Sequence, residues 1–168
     1  MKPFSESCVQ NQPEICNVLK DLLSDKKNVL EIGSGTGQHA VYFAQKLPHL
    51  IWQTSDQSAY HQGIQLWLDE ANLTNLRSPI NLNVSQDDWP ELKVDAIFSA
   101  NAVHIMSWKH VIDYFNNGAK LLESKGYFIL YGPFNYKGQF TSQSNANFDQ
   151  WLKSRDPQSG VRDFEALD

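Results

Sequence analysis

Residues 29–38 read VLEIGSGTGQ. The apolar run 28–32 leads into glycines at 33, 35 and 37, and an amphipathic stretch, 36–47, follows until Pro48 stops it. This is the pattern of a strand, a tight turn and a helix. Glycines accept positive φ and let a ligand approach the backbone closely. The helix start beyond them offers unpaired N–H groups. A dinucleotide fingerprint would need its third glycine at 38. Here that position is Gln38, and Gly37 falls one residue early. Glu31, two residues before the first glycine, would repel a pyrophosphate and suit a ligand bearing an ammonium group. Taken alone, such a turn is equally well a plain tight turn.

Working outward, short apolar runs alternate with helical patterns, as in βαβ units around a parallel sheet. Strands are predicted at 50–54, 79–83, 94–98 and 127–131. The last is apolar throughout, as a strand buried on both faces should be. Helices are predicted at 13–23, at 58–71 with Ser58 as its cap, at 108–122 and at 148–153. Ser124, Lys125 and Gly126 form the turn before the fifth strand. Residues 132–147 shift to Gly, Ser, Thr, Asn and Gln and read as a long loop of functional interest.

The whole chain has 168 residues, 41% hydrophobic and 20% charged, which suits one folded domain and not a disordered chain. The net charge of −5 gives no general pull toward nucleic acid or an anionic membrane. No run approaches the ~20 apolar residues of a membrane helix, and the N-terminus has no apolar signal core. Cys8 and Cys16 are the two cysteines, too few for a disulfide framework, and no spacing suggests a metal site. A cytoplasmic protein with reduced thiols is the resulting expectation.

Asp56 closes the second strand, well placed for a carboxylate that accepts hydrogen bonds from both ribose hydroxyls. Glu31, the glycine turn and Asp56 together describe a nucleoside joined to an amino acid, without phosphates. S-adenosyl-L-methionine has this chemistry. The segment resembles motif I of the class I S-adenosylmethionine-dependent methyltransferases. More of the chain resembles the methyltransferase-like family known as domain of unknown function 938. The resemblance rests on Phe4, Ser5 and Cys8, on VLEIGSGTGQHA at 29–40 and on NAVHIMSW at 101–108. It continues in LYGPF at 130–134, TSQSN at 141–145, FDQWL at 148–152 and RDPQSGVRD at 155–163.

The resemblance implies an α/β, Rossmann-like sandwich with parallel strands in order 3-2-1-4-5. It implies a methyltransferase acting on a small molecule; a non-catalytic cofactor-binding or scaffold protein is the alternative. Glu31, Gly33, Ser34, Gly35 and Gly37 would surround the methionine part of the cofactor, and Asp56 and Gln57 its ribose and adenosine. The family places an Asp after strand three; this chain has Asn83, then Val84, and the Asn oxygen could still accept from the adenine amine. Trp89 is a candidate wall for the adenine or, equally, packs its loop onto the core.

Ligands in open α/β sheets bind beyond the carboxyl ends of the strands, which puts Asn101 and His104 near the reacting centre. His104 is the candidate general base, with local hydrogen bonding that orients the loop as its other reading. Neither an Asn-Pro-Pro-Tyr motif nor a Pro-Cys nucleophile is present, which argues against DNA base methylation. Tyr131, Phe134, Asn135, Tyr136, Ser144 and Asn145 are the candidate acceptor-binding residues, with capping of the next helix as the other reading of Ser144 and Asn145. Arg155 would bind a substrate carboxylate or pair with Asp156 or Asp163. Residues 4–11 would fold over the cofactor as a lid. Residues 163–168 look like the first turns of a helix. The family continues through that helix and a strand 6–7 hairpin, so the expectation is a C-terminally incomplete copy with that hairpin missing and strand five an unprotected edge.

Overall fold

The first strand, β1 (Asn28–Glu31), has Val29, Leu30 and Glu31 all buried, so both of its faces are covered. It pairs in parallel with β2 (Ile51–Asp56) on one side and β4 (Val94–Ala100) on the other. Beyond these lie β3 (Leu76–Asn81) and β5 (Leu122–Tyr131), giving an all-parallel sheet in order 3-2-1-4-5. The computed structural model describes residues 1–86 and 88–168.

Alternation along β1 sends neighbouring side chains to opposite layers. Val29 joins Leu19, Phe43, Trp52 and Phe98 beneath α1 (Glu6–Leu22) and α2 (Gln38–Lys46). Leu30 joins Ile97, Tyr114 and Leu121 beneath α4 (Trp108–Leu121). Each large apolar side chain fully buried here contributes about 1.5–3 kcal/mol. The helix α3 (His61–Ala71) follows β2, and α5 (Gln143–Arg155) follows β5. The topology is the expected one, and it brings the turns after β1, β2 and β4 to one end of the sheet.

Several boundaries differ from those predicted. The helix α1 begins at Glu6 and holds Pro13 inside it, upstream of the expected start. Packing of Ile15 and Leu19 into the core offsets the missing proline N–H. Residues 6–11 are therefore helix and not lid. The segment before them is pinned to the outer helices: Ser5 N donates to Gln38 Oε1 at 2.6 Å, Trp67 Nε1 donates to Pro3 O at 2.6 Å, and Lys2 Nζ lies 3.8 Å over the Trp67 ring.

The strand β3 ends before the predicted 79–83 window does, because Asn83 turns the chain by accepting from Ser85 N at 3.1 Å. Ser58 does not cap α3; it opens a 3-10 turn, Ser58–Tyr60. The 124–126 turn is present as a bulge within β5, where pairing jumps from Val94↔Leu122 to Ala96↔Tyr127 and Lys125 takes φ +63°. The helix α5 starts well before the predicted 148–153 segment because Ser142 caps it, accepting from Asn145 N. Only Asp149 and Leu152 of α5 are buried, so it carried little periodic signal.

Residues 163–168 do not begin an α-helix. Arg162–Asp163 forms β7, followed by a 3-10 turn, Phe164–Ala166. β7 pairs in parallel with β6 (Phe134–Asn135), which lies inside the expected loop. The described residues thus form seven strands against the five predicted. The two additional ones are a two-residue ladder outside the sheet, and β5 remains its outer strand. Among the described residues no helix is long and apolar enough to cross a membrane, and no group of three His, Cys, Asp or Glu residues could hold a metal ion.

Candidate functional site

A cavity of about 600 Å³ opens beyond the carboxyl ends of β1, β2 and β4. Gly33 and Gly35 line it in left-handed conformations, with φ of +78° and +59°. The turn is tied to β2: Gly33 N and Ser34 N both donate to Ser55 O, at 3.1 and 2.9 Å. Asp56 then fixes the next residue. Its Oδ2 accepts from Gly35 N and its Oδ1 from Gln57 N, each at 2.8 Å. Burial pushes this carboxyl above its ordinary range, against the two backbone hydrogen bonds. Asp56 and Gln57 both line the cavity.

The other residues of the turn work from behind it. Glu31 is 1% exposed and does not line the cavity. Its Oε2 accepts from Ser34 Oγ and from Trp52 Nε1, both at 3.0 Å. Burial pushes Glu31 up to about 7, with the charge of Asp56 adding to the rise. Ser34 is buried between Glu31 and Ser55 N. Gly37 is a packing position: a Cβ there would lie 3.2 Å from the Ile64 Cα, at φ +91°. These three are placed to support the turn and not to touch a ligand in this conformation.

Asn83 and Val84 line the cavity from the β3 side. The Asn83 oxygen is already engaged by Ser85 N and by Ser85 Oγ at 2.7 Å. Asn101 lines the opposite wall at φ +55°, held by donation from its N–H to Tyr131 O at 2.8 Å. A non-glycine residue in that region stores strain that the surrounding structure must over-determine.

The acceptor side departs from expectation. His104 is 3% exposed, packs edge-on against Phe148 at 5.2 Å and does not line the cavity. Burial, then the charge of Arg162, holds it down at about 4. In this conformation the ring is turned away from the cavity. Tyr131, Phe134, Asn135, Tyr136, Ser144 and Asn145 also lie off the cavity. Phe134 and Tyr136 face a separate apolar groove with Phe128, Leu130 and Phe164. Asn135 is buried, its Nδ2 donating to Val161 O. Tyr131 is 36% exposed at the outer strand. Ser144 and Asn145 belong to the cap of α5, whose N-cap is Ser142. Trp89 packs on the Leu30–Tyr114 layer and lines a different cavity. Arg155 stacks 4.8 Å over Trp151 and pairs with neither aspartate.

In their place stand Tyr60, Ile105, Met106, His110, Asp156 and Gln158, none predicted. His110 was within reach of sequence reasoning: Ser107 is a good N-cap, and its Oγ accepts from His110 N, which fixes the first turn of α4 beside the site. Asp156 and Gln158 carried no local signal, since the tertiary path of the chain after α5 brings them there.

Over 96% of its length the chain is similar to an O-methyltransferase family protein from Burkholderia thailandensis, with a TM-score of 0.83 and 11% identity, covering 50% of that chain. It is similar over 94% of its length to the S-adenosylmethionine-dependent methyltransferase SibL in its apo form, at TM-score 0.79 and 18% identity, covering 46% of that chain. It is similar over 84% of its length to PigF with SAH, at TM-score 0.75 and 15% identity, covering 42% of that chain. The chain spans about half the length of these structures, and identities this low establish the fold alone. Residues 2–168 match the family described as "Protein of unknown function (DUF938)", and the chain belongs to that family, on a class I methyltransferase fold.

Proposed function

We propose that this protein binds S-adenosyl-L-methionine and transfers its methyl group to a small-molecule acceptor. The observation that carries this is the convergence of the Gly33–Gly35 backbone, the Asp56 carboxylate and Asn83 on one cavity at the carboxyl ends of β1, β2 and β3. The residues fit the ligand. A Cβ on Gly35 would meet nothing within 4 Å, so the space before the turn is open. Asp56 has further lone pairs for ribose hydroxyls beyond the two it gives to Gly35 and Gln57.

When bound, S-adenosylmethionine supplies an electrophilic methyl group. The protein then has to align the acceptor and exclude water, and positioning carries most of the rate. Asn101, locked at φ +55°, and Ala102 form the wall where that alignment would occur. His110, the titratable nitrogen side chain on the cavity wall, is better placed than His104 to take a proton from the acceptor.

Calorimetry with S-adenosylmethionine, S-adenosylhomocysteine and NAD tests the binding. Both adenosyl ligands should bind and NAD should not; the reverse overturns the proposal. A second reading, a cofactor-binding protein without turnover, draws on the burial of His104 away from the cavity. Labelled methyl transfer into fractionated small metabolites separates the two.

A further inference from the structure

The wall of the cavity opposite the glycine turn is built from the chain after α5, and it is stitched in place. Gly160 N donates to His104 O at 2.9 Å. Arg162 Nη2 donates to Met106 O and, at 2.8 Å, to Gln158 O. Asp149, 5% exposed, accepts from Val161 N at 2.9 Å. These contacts present Asp156 and Gln158 to the cavity from a fixed loop, which Asp156 tightens by accepting from Gln158 N at 2.9 Å.

Three observations bear on what this wall would recognise. First, the charged side chains among the described residues lining the cavity are Asp56 and Asp156, with no Lys or Arg. Second, the cations nearest in sequence to Asp156 are committed elsewhere. Lys153 pairs with Asp149 at 2.7 Å, Arg155 lies over Trp151, and Arg162 gives Nη2 to two carbonyls with its face 5.8 Å from Trp108. Among the described residues Asp156 has no ion-pair partner. Third, apolar side chains on the cavity wall are left open to solvent: Ile105 is 59% exposed and Tyr60 53%, with Met106 beside them.

A carboxylate without an ion-pair partner in the same cavity as exposed apolar and aromatic side chains suits a ligand with an apolar body and a positive head group. A carboxylate or phosphate ligand would find no Lys or Arg among the side chains lining the cavity. We infer that Asp156 is the recognition residue for the methyl acceptor and that the acceptor has a small apolar body lying on Ile105, Met106 and Tyr60 and, held at Asp156, an ammonium group, which has no lone pair and so anchors the molecule without itself taking the methyl group. This rests on the cofactor reading, because the same cavity must hold both molecules.

The test uses the full chain saturated with S-adenosylhomocysteine and three probes of matched shape: 2-phenylethylamine, 2-phenylethanol and 3-phenylpropanoate. Titration by calorimetry should show the amine binding about tenfold more tightly than the alcohol, with the carboxylate weakest. Asp156→Asn should abolish the preference for the amine and leave the alcohol within about twofold. Asp156 is exposed, so the variant folds. If S-adenosylhomocysteine does not bind wild type, the cofactor reading fails and this inference with it. If it binds but the amine shows no preference, or the preference survives in Asp156→Asn, the inference is overturned while the cofactor reading stands.

Discussion

Asp56 Oδ2 holds the Gly35 amide at 2.8 Å, joining the end of β2 to the turn after β1. One carboxylate therefore shapes the turn and also faces the cavity. Asp56→Asn presents a single accepting oxygen to two backbone donors, Gly35 N and Gln57 N, and sets an amide N–H₂ against one of them. Hydrogen bonds to a charged partner are worth about 1.5–3 kcal/mol. The affinity for S-adenosylhomocysteine should fall about tenfold in Asp56→Asn and further in Asp56→Ala, by calorimetry. Binding within twofold of wild type in Asp56→Ala would remove Asp56 from the ligand site.

Gly35 and Gly37 look alike in sequence and differ in what surrounds them. Gly35 faces open space, so Gly35→Ala meets only the left-handed backbone penalty of about 1 kcal/mol. It should melt about 3 °C lower and lose adenosyl-ligand binding, because its methyl group enters the cavity. Gly37→Ala meets the same penalty plus contacts with the Ile64 backbone at 3.2 and 3.3 Å. It should lose about 2 kcal/mol or more. Equal melting temperatures for the two variants would contradict this division of roles.

The parallel sheet and the places of Gly33, Gly35, Asp56 and Gln57 at the ends of its strands were legible because they are written locally. A strand, a glycine turn and an acidic residue after the next strand each leave a short pattern, and the sheet topology brings those patterns together. The acceptor half was not legible. His104 follows β4, as a base would, yet the loop turns it inward against Phe148. Tyr131 ends β5 at the outer strand and Phe134 follows it into another groove, where the β6–β7 ladder redirects the chain. Asp156 reaches the cavity only through contacts made by Asp149, Gly160 and Arg162, which are distant in sequence from the turn they complete.

His104 is held at about 4 by burial, so it is neutral throughout the physiological range. Its ring resonances, followed by NMR, should show no titration between pH 5.5 and 8. A transition near 6.5 would mean that the ring is solvated and available as a base.

Asp149 is the anchor of the wall that carries Asp156. It accepts from Val161 N through one oxygen and from Lys153 Nζ through the other. Asp149→Ala leaves a buried backbone N–H without its partner and should cost about 2 kcal/mol. Trypsin should then cut after Arg155 and Arg162 faster than in wild type, with the sheet intact by circular dichroism. Unchanged cleavage would show that Gly160 and Arg162 hold the segment without it.

Glu31 gives stability a pH dependence of unusual sign for a carboxylate. Its folded value of about 7 lies above the ordinary 4.5, so the fold favours the protonated form. The stability it contributes is complete below about 4.5 and is lost as pH rises through 7. The full swing is about 3 kcal/mol. Glu31→Gln keeps an oxygen to accept from Ser34 Oγ and Trp52 Nε1 and carries no charge at any pH. His39 and His104, both held near 4 by burial, act in the opposite sense, costing stability as pH falls below 6.5. They are present in both proteins and cancel in the difference. Urea unfolding of the two proteins across pH 4 to 9 should therefore show the Gln variant gaining on wild type by up to about 3 kcal/mol, mostly between pH 5 and 8. A difference that stays constant with pH would mean that Glu31 is ionised in the fold, with its charge compensated by a partner other than Ser34 and Trp52.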